Sequence, residues 1–367
     1  MAAQPQDWDR NWQYLQDHRL WGLAELALNP GWGPALLGPH WPRLQQKARS
    51  QRLSLLRLGA MQQHLQRRFD AAGLTLSVLK GPGLSQRLYG DMTLRHSKDL
   101  DLLVPPAQLW QACELLQAEG FTLLDAPPLH EANRRLVQRH YWHLTLRHAQ
   151  QSVMVELHWR IEPLHAQHRE TQWQLPFARD RIAAGELLYL LTHGARHHWF
   201  RLKWLGDIQA ISEAVPGIWQ EAQELARRQG LLGVLEQTAL LLNWLWPVQT
   251  HDRAELQQLV NSASPEARYL AGEAQAFLLA HDYPEMTNCL SLRYRYRLHA
   301  YQGCLQRRYG WPARLRHLVD RGCFSREDME KWRLPTSLLW AYPLLRLPLL
   351  IVRWGRARHD LDSVRHG

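Results

Sequence analysis

Apolar residues recur at intervals of three and four from Trp8 to Leu28 and again from Leu44 to Phe69, with charged residues between them. That period matches the turn of an α-helix and predicts two amphipathic helical stretches, separated by the proline- and glycine-bearing segment 30–38. After Gly73 the period changes. Leu74-Thr75-Leu76-Ser77-Val78-Leu79 alternates and reads as a strand that ends at Lys80-Gly81. Pro82 lacks the N–H that a first helical turn leaves unpaired, so a short helix over Gly83 to Tyr89, closed by Gly90, is expected next. Asp99-Leu100-Asp101-Leu102-Leu103-Val104 then alternates acidic and apolar residues before turning wholly apolar, which predicts a strand stopped by Pro105-Pro106.

Ala107 to Glu119 has helical spacing, and Phe121 to Leu124 is strand-like. The runs 143–147 and 153–159 flank a polar turn around Ala149 to Ser152, as an antiparallel hairpin requires, so the sheet is expected to be mixed. After Pro163 helices dominate, among them 183–198, 204–214, 231–246 and 265–280. The fold class is α+β: a small mixed-sheet core between N-terminal helices and a larger C-terminal helical region. The expected division is 1–73 (helical), 74–170 (core), 171–333 (helical) and 334–367 (apolar and basic arm), with a soft boundary between 165 and 182.

Lys and Arg exceed Asp and Glu by 10 in 367 residues, which favours anionic partners such as nucleotides, RNA or acidic lipid without choosing among them. Cys113, Cys289, Cys304 and Cys323 have no paired spacing, which argues against a disulfide framework or a cysteine zinc site. The first twelve residues carry no apolar signal core, so a cytoplasmic setting is expected. The apolar run Leu334 to Val352 contains Arg346 and three prolines, features unsuited to a spanning helix. A packed arm is expected there, with peripheral membrane contact through the following arginines as the second reading.

Residues two apart on a strand point the same way, so Asp99 and Asp101 aim together while Leu100 and Leu102 face the other layer. Adjacent carboxylates repel unless a cation lies between them, and hard oxygen ligands favour Mg2+ or Mn2+ over zinc. A solvated strand start is the plainer reading of this pair in isolation. Met154, Glu156 and His158 share the face opposite Val155, Leu157 and Trp159. Glu156 is therefore edge-exposed, ion-paired or metal-linked, and Glu156 and His158 also suit ordinary cross-strand pairs. Lys80-Gly81 sits where a helix N-terminus favours phosphate, although a lysine and glycine there also make a simple turn. His193 and His197 lie four apart on one helix face without an evident third ligand, so a structural role is the plainer one. Lys203 and Asp207 are four apart as well, the spacing of an intrahelical ion pair.

Taken together, LKGPGLSQRLYGD followed by RHSKDLDLLV resembles the DNA polymerase beta-like nucleotidyltransferase superfamily, in particular its uncharacterised bacterial branch. Tyr89, Asp91, Arg95, the strand VELHW at 155–159, the helical segment HGARH at 193–197, Leu202-Lys203-Trp204 and Asp207 carry the likeness onward, over about residues 75–210. Pro82 after Gly81, and the 18 positions from Gly81 to Asp99, depart from the usual superfamily pattern. The longer spacer, with Arg95, Ser97 and Asp99, also resembles abortive-infection nucleotidyltransferase toxins. The resemblance implies transfer of a nucleoside monophosphate from an NTP to a hydroxyl or phosphate of a small-molecule, sugar or peptide acceptor. It implies Mg2+ or Mn2+ on Asp99, Asp101 and Glu156, with Lys80, Gly81, Arg95 and Ser97 at the nucleotide. His158, His193, His197, Lys203 and Asp207 are the candidates for acceptor contacts or for structural support. The alternatives are a toxin-like transferase acting on RNA, such as a tRNA end, and a non-catalytic nucleotide-binding or membrane-associated regulator.

Overall fold

A computed structural model describes residues 8–28, 31–124, 141–161, 182–247, 254–279 and 292–306, with isolated positions between 134 and 138 and between 311 and 344. In chain order its elements are α1 (Trp8–His18), α2 (Trp21–Leu28), α3 (Trp32–Leu37), α4 (Trp41–Ala71), β1 (Ser77–Val78), α5 (Pro82–Tyr89), β2 (Asp99–Leu103), α6 (Leu109–Ala118), β3 (Phe121–Leu123), β4 (His143–His148) and β5 (Met154–His158). These are followed by α7 (Ala184–Arg196), α8 (Leu202–Ala214), α9 (Ile218–Gln229), α10 (Leu232–Leu245), α11 (Ala254–Ser262), α12 (Pro265–Leu279) and α13 (Leu292–Gln306). The class is α+β, with a five-stranded mixed sheet in the order β1-β2-β5-β4-β3, N-terminal helices and a C-terminal helical region. By compactness the chain divides into one unit of Met1–Leu103 with Trp173–Tyr309, and a second of Val104–Gln172 with Gly310–Gly367.

In the first unit the stretch read as one helix from Trp8 is two, because Arg19 adopts a left-handed φ of 54° that ends α1. The segment 30–38, expected as a separator, contains the short α3. α4 buries Leu44, Ala48, Leu55, Leu58, Leu65 and Phe69 along one stripe, as its period requires. It closes at Gly73, where Leu74 N–H donates to the Phe69 carbonyl at 2.9 Å. Leu74 and Leu76 are buried, yet only Ser77 and Val78 of the expected strand pair with β2, antiparallel, opposite Leu103 and Leu102. α5 begins at Pro82 and ends at Gly90, whose φ of 72° suits a residue without Cβ.

Among the helices of this unit α7 is buried continuously from Ala184 to Ala195 and packs against α8, α9, α10 and α13. Gly194 is needed here for space: a Cβ would collide with the Trp199 ring, which folds back beneath the helix end and is fully buried. His198 and Trp199 both take left-handed φ values, 57° and 55°, making the tight turn that delivers α8.

The second unit contains the antiparallel run β3-β4-β5, with His143 opposite His158 and Thr145 opposite Glu156. Val104 N–H donates to the His158 carbonyl at 2.9 Å. Val155, Leu157 and Trp159 are fully buried on the face expected for them, and the Trp159 indole N–H donates to the Gln138 carbonyl at 3.0 Å.

Among the described residues no helix is long and apolar enough to cross a membrane. Most of the expected C-terminal arm lies outside them, as do Cys289 and Cys323; Cys113 and Cys304 are buried free thiols.

Candidate active site

In the first unit the period-two prediction for β2 holds. Leu100 and Leu102 have no exposed surface, and on the other side Asp99 is half-buried while Asp101 is only 1% exposed. A carboxylate that dry is costly without a counter-charge. Lys80 provides one: its Nζ lies 3.0 Å from Asp101 Oδ1. The backbone enforces the meeting, since Leu79 N–H donates to the Asp101 carbonyl at 2.9 Å and so fixes the next side chain beside that carboxylate.

Gly81 has φ 103° and ψ −151°, a conformation open essentially to glycine. Space is not the reason, because a Cβ there would meet its nearest neighbours, the Asp99 carbonyl and Ser97 Oγ, at an ordinary 3.8 Å. The Ser97 hydroxyl donates to that same Asp99 carbonyl at 2.9 Å, so Ser97 ties the loop to the start of β2. Of the first-turn N–H groups of α5, Pro82 has none and Gly83 donates to Gln62 Oε1 at 3.2 Å.

The loop from Gly90 to Lys98 is held from several sides. Asp91 Oδ1 accepts from Thr93 N–H and Thr93 Oγ1, both at 2.7 Å, and the Ser85 hydroxyl bridges the Asp91 carbonyl and Arg95 N–H. Arg95 itself turns inward. Its Nε donates to Asp207 Oδ2 at 2.7 Å, both side chains being 1% exposed, and the Tyr89 hydroxyl donates to Asp207 Oδ1 at 3.0 Å. Burial opposes the charge on Arg95, but Asp207 outweighs it and holds the guanidinium firmly protonated. Arg87 makes a second buried pair, with Glu186 of α7.

The spacing of Lys203 and Asp207 predicted an ion pair within α8, and the structure corrects this. Asp207 is turned to Arg95 and Tyr89, while Lys203 Nζ donates to the His96 carbonyl at 2.8 Å. Burial, then the charges of Arg95 and Arg19, push the Lys203 ammonium well below its usual range. The physical reason is that two buried chain crossings, 112 and 107 residues apart in sequence, satisfy these groups in place of the helix's own surface.

His193 and His197 pack ring to ring at 4.7 Å, and Trp204 meets the His193 ring edge-on at 5.2 Å. Both imidazoles are driven well below the usual histidine range, chiefly by burial; the positive charges of Lys80 on His193 and of Arg196 on His197 add to it. They are therefore neutral bases beside the lysine that carries Asp101. Among the described residues they meet no third metal ligand.

In the second unit Glu156 is half-buried and His158 buried, with His158 Nε2 3.3 Å from Glu156 Oε2. The cross-strand pairing anticipated for His158 is present: it faces His143, with ring centroids 5.0 Å apart. One residue and one partnership escaped notice in the sequence. For Glu156 and His158 it was His143; Asp207 stands out in the sequence, but as a helical partner of Lys203 and not as the shared acceptor of Tyr89 and Arg95.

A chain that folds a lysine-glycine turn onto an aspartate pair at the start of an adjoining strand has the arrangement expected of nucleotidyl transfer. The family model described as "Uncharacterised nucleotidyltransferase" matches residues 4–247, and the chain belongs to that family. No curated protein and no solved structure matches.

Proposed function

We propose that this chain transfers a nucleoside monophosphate from an NTP to a hydroxyl or phosphate of a small-molecule, sugar or peptide acceptor, with Asp99, Asp101 and Glu156 as its carboxylates. The observation that carries the reading is Asp101, a nearly inaccessible carboxylate whose counter-charge is Lys80 at 3.0 Å beside the strained Gly81. The donor set fits hard divalent ions, since three carboxylates offer only oxygen. When bound, Mg2+ or Mn2+ would lower the acceptor oxygen's pKa and neutralise charge on the leaving pyrophosphate.

The chain's own residues account for the remainder. Lys80 pairs with Asp101 and supplies a positive charge for the phosphates of the donor. Gly81 allows the backbone to turn close to them without a side chain. Arg95, sealed against Asp207, acts as a positioning residue that fixes the loop delivering Ser97 and Asp99.

The test is incubation of the purified chain with each of the four NTPs, labelled at the α-phosphate, plus Mg2+ or Mn2+ and separate pools of small metabolites, peptides and total RNA. Label entering a small-molecule or peptide pool with matching pyrophosphate release supports the proposal. Label entering only RNA replaces the acceptor class, a reading motivated by the net charge of +10. Metal-dependent NTP binding with no labelled product in any pool points instead to a regulator that binds without transfer.

A further inference from the structure

We propose that His143, Glu156 and His158 form a binding site for a borderline divalent transition ion of the Zn2+ type, separate in chemistry from the all-oxygen carboxylate set. The three offer one ligand atom each, an imidazole nitrogen from both histidines and a carboxylate oxygen, and these atoms all lie within 4.8 Å of one another. The fold brings them together by register. The β4–β5 hairpin sets His143 directly opposite His158, and Glu156 lies two positions from His158 on the same face of β5.

One pair of donors already has the spacing of neighbouring ligands. Atoms on adjacent corners of a four- to six-coordinate ion with bonds of about 2.0–2.2 Å lie roughly 2.9–3.5 Å apart, and His158 Nε2 and Glu156 Oε2 are 3.3 Å apart. The His143 and His158 rings lie 5.0 Å apart between centroids and are tilted by 34°, and a nitrogen of each lies within 4.8 Å of the carboxylate oxygen. Behind the site the strand is rigid, since Val155, Leu157 and Trp159 on the reverse face are fully buried. On the site face the exposure is graded. The His158 side chain is 3% exposed and that of Glu156 28%, so solvent reaches the cluster from the Glu156 side.

Ligand chemistry selects the ion. Two imidazoles and one carboxylate suit Zn2+, Co2+, Fe2+ or Mn2+, and zinc binds most tightly of these four, whereas Mg2+ seeks oxygen donors.

The experiment uses the tag-free full chain, stripped with chelator and titrated with Co2+ followed by visible absorption, then with Zn2+ followed by calorimetry in the presence of excess Mg2+. The expected result is one Co2+ per chain with ligand-field bands of a four- or five-coordinate site, displaced by one Zn2+ and not by Mg2+. His143→Gln and His158→Gln should each weaken Zn2+ binding at least tenfold while thermal unfolding and circular dichroism stay near those of the parent. Asp101→Asn should leave Co2+ binding unchanged, so loss of the transferase reading does not carry the metal site with it. Absence of stoichiometric Co2+ and Zn2+ binding, or binding indifferent to both histidine variants, overturns the proposal. His143→Ala, at the first residue of β4, serves as the second variant if His158→Gln fails to fold.

Discussion

Replacing Asp207 by alanine tests the buried network that positions the candidate site. The change leaves the Arg95 guanidinium, 1% exposed, without the carboxylate that lies 2.7 Å from its Nε. Water cannot reach it to compensate. Breaking a buried ion pair by removing one partner costs about 3–5 kcal/mol, and the Tyr89 hydroxyl, which also donates to Asp207 at 3.0 Å, loses its acceptor for about 1 kcal/mol more. Asp101 exerts a further favourable field on Arg95, which places the expected total near the lower end, about 4 kcal/mol. Asp207→Asn keeps one acceptor oxygen, which can serve Arg95 Nε, and puts an amide N–H donor against the Tyr89 hydroxyl, which can turn to accept it. The charge pairing is still lost, and the cost should lie below that of alanine, at roughly half. Replacing both partners together, Arg95→Met with Asp207→Leu, removes the stranded charge and should recover at least about 2 kcal/mol relative to Asp207→Ala. Urea unfolding followed by tryptophan fluorescence and by circular dichroism reads all three. A loss below about 1 kcal/mol in Asp207→Ala, or a double variant no better than the single one, would refute the claim that Asp207 anchors Arg95.

Gly81→Ala should destabilise by about 1–2 kcal/mol through its φ of 103° alone, because the added methyl meets no atom closer than 3.8 Å; a loss below about 0.5 kcal/mol in the same urea assay argues against that conformation. Stability should also fall in mild acid. The buried His18 has its pKa lowered to about 4, by burial and then by Arg201, so below the unfolded value of 6.5 the unfolded chain takes up the proton first. Its contribution is complete above about pH 7 and is lost between 6.5 and about 4, at about 1.4 kcal/mol per pH unit. A His18→Gln variant should flatten the acid slope by that amount, and an unchanged slope would assign the acid loss to other groups.

Much of the first unit's site was legible because its information is local. Alternation along β2 set Asp99 and Asp101 on one side and Leu100 and Leu102 on the other, and Pro82 and Gly90 bounded α5. What escaped was carried by chain crossings. Lys203 and Asp207 satisfy the spacing of a helical pair, but desolvated partners from the loop before β2 compete for them and win, since among the described residues Asp207 is the carboxylate that pairs with the buried guanidinium. The shortened β1 has the same origin: Leu74 and Leu76 follow the apolar alternation because they are buried, while only Ser77 and Val78 reach the ladder. The break at Arg19 left no trace in periodicity, because α1 and α2 each keep an apolar face across it. His143 was within reach, since a turn centred between Gln150 and Gln151 pairs it with His158 by counting alone.

The central claim is that the carboxylates of β2 and β5 serve metal-dependent nucleotidyl transfer. Its most direct measurement is pyrophosphate release from an NTP, with Mg2+ or Mn2+ and a competent acceptor pool, by the parent chain and by Asp99→Asn with Asp101→Asn. Release should require the metal and match label transfer, and should fall by about 1,000-fold or more in the double variant, whose circular dichroism remains that of a folded chain. Full activity in that folded double variant would contradict it.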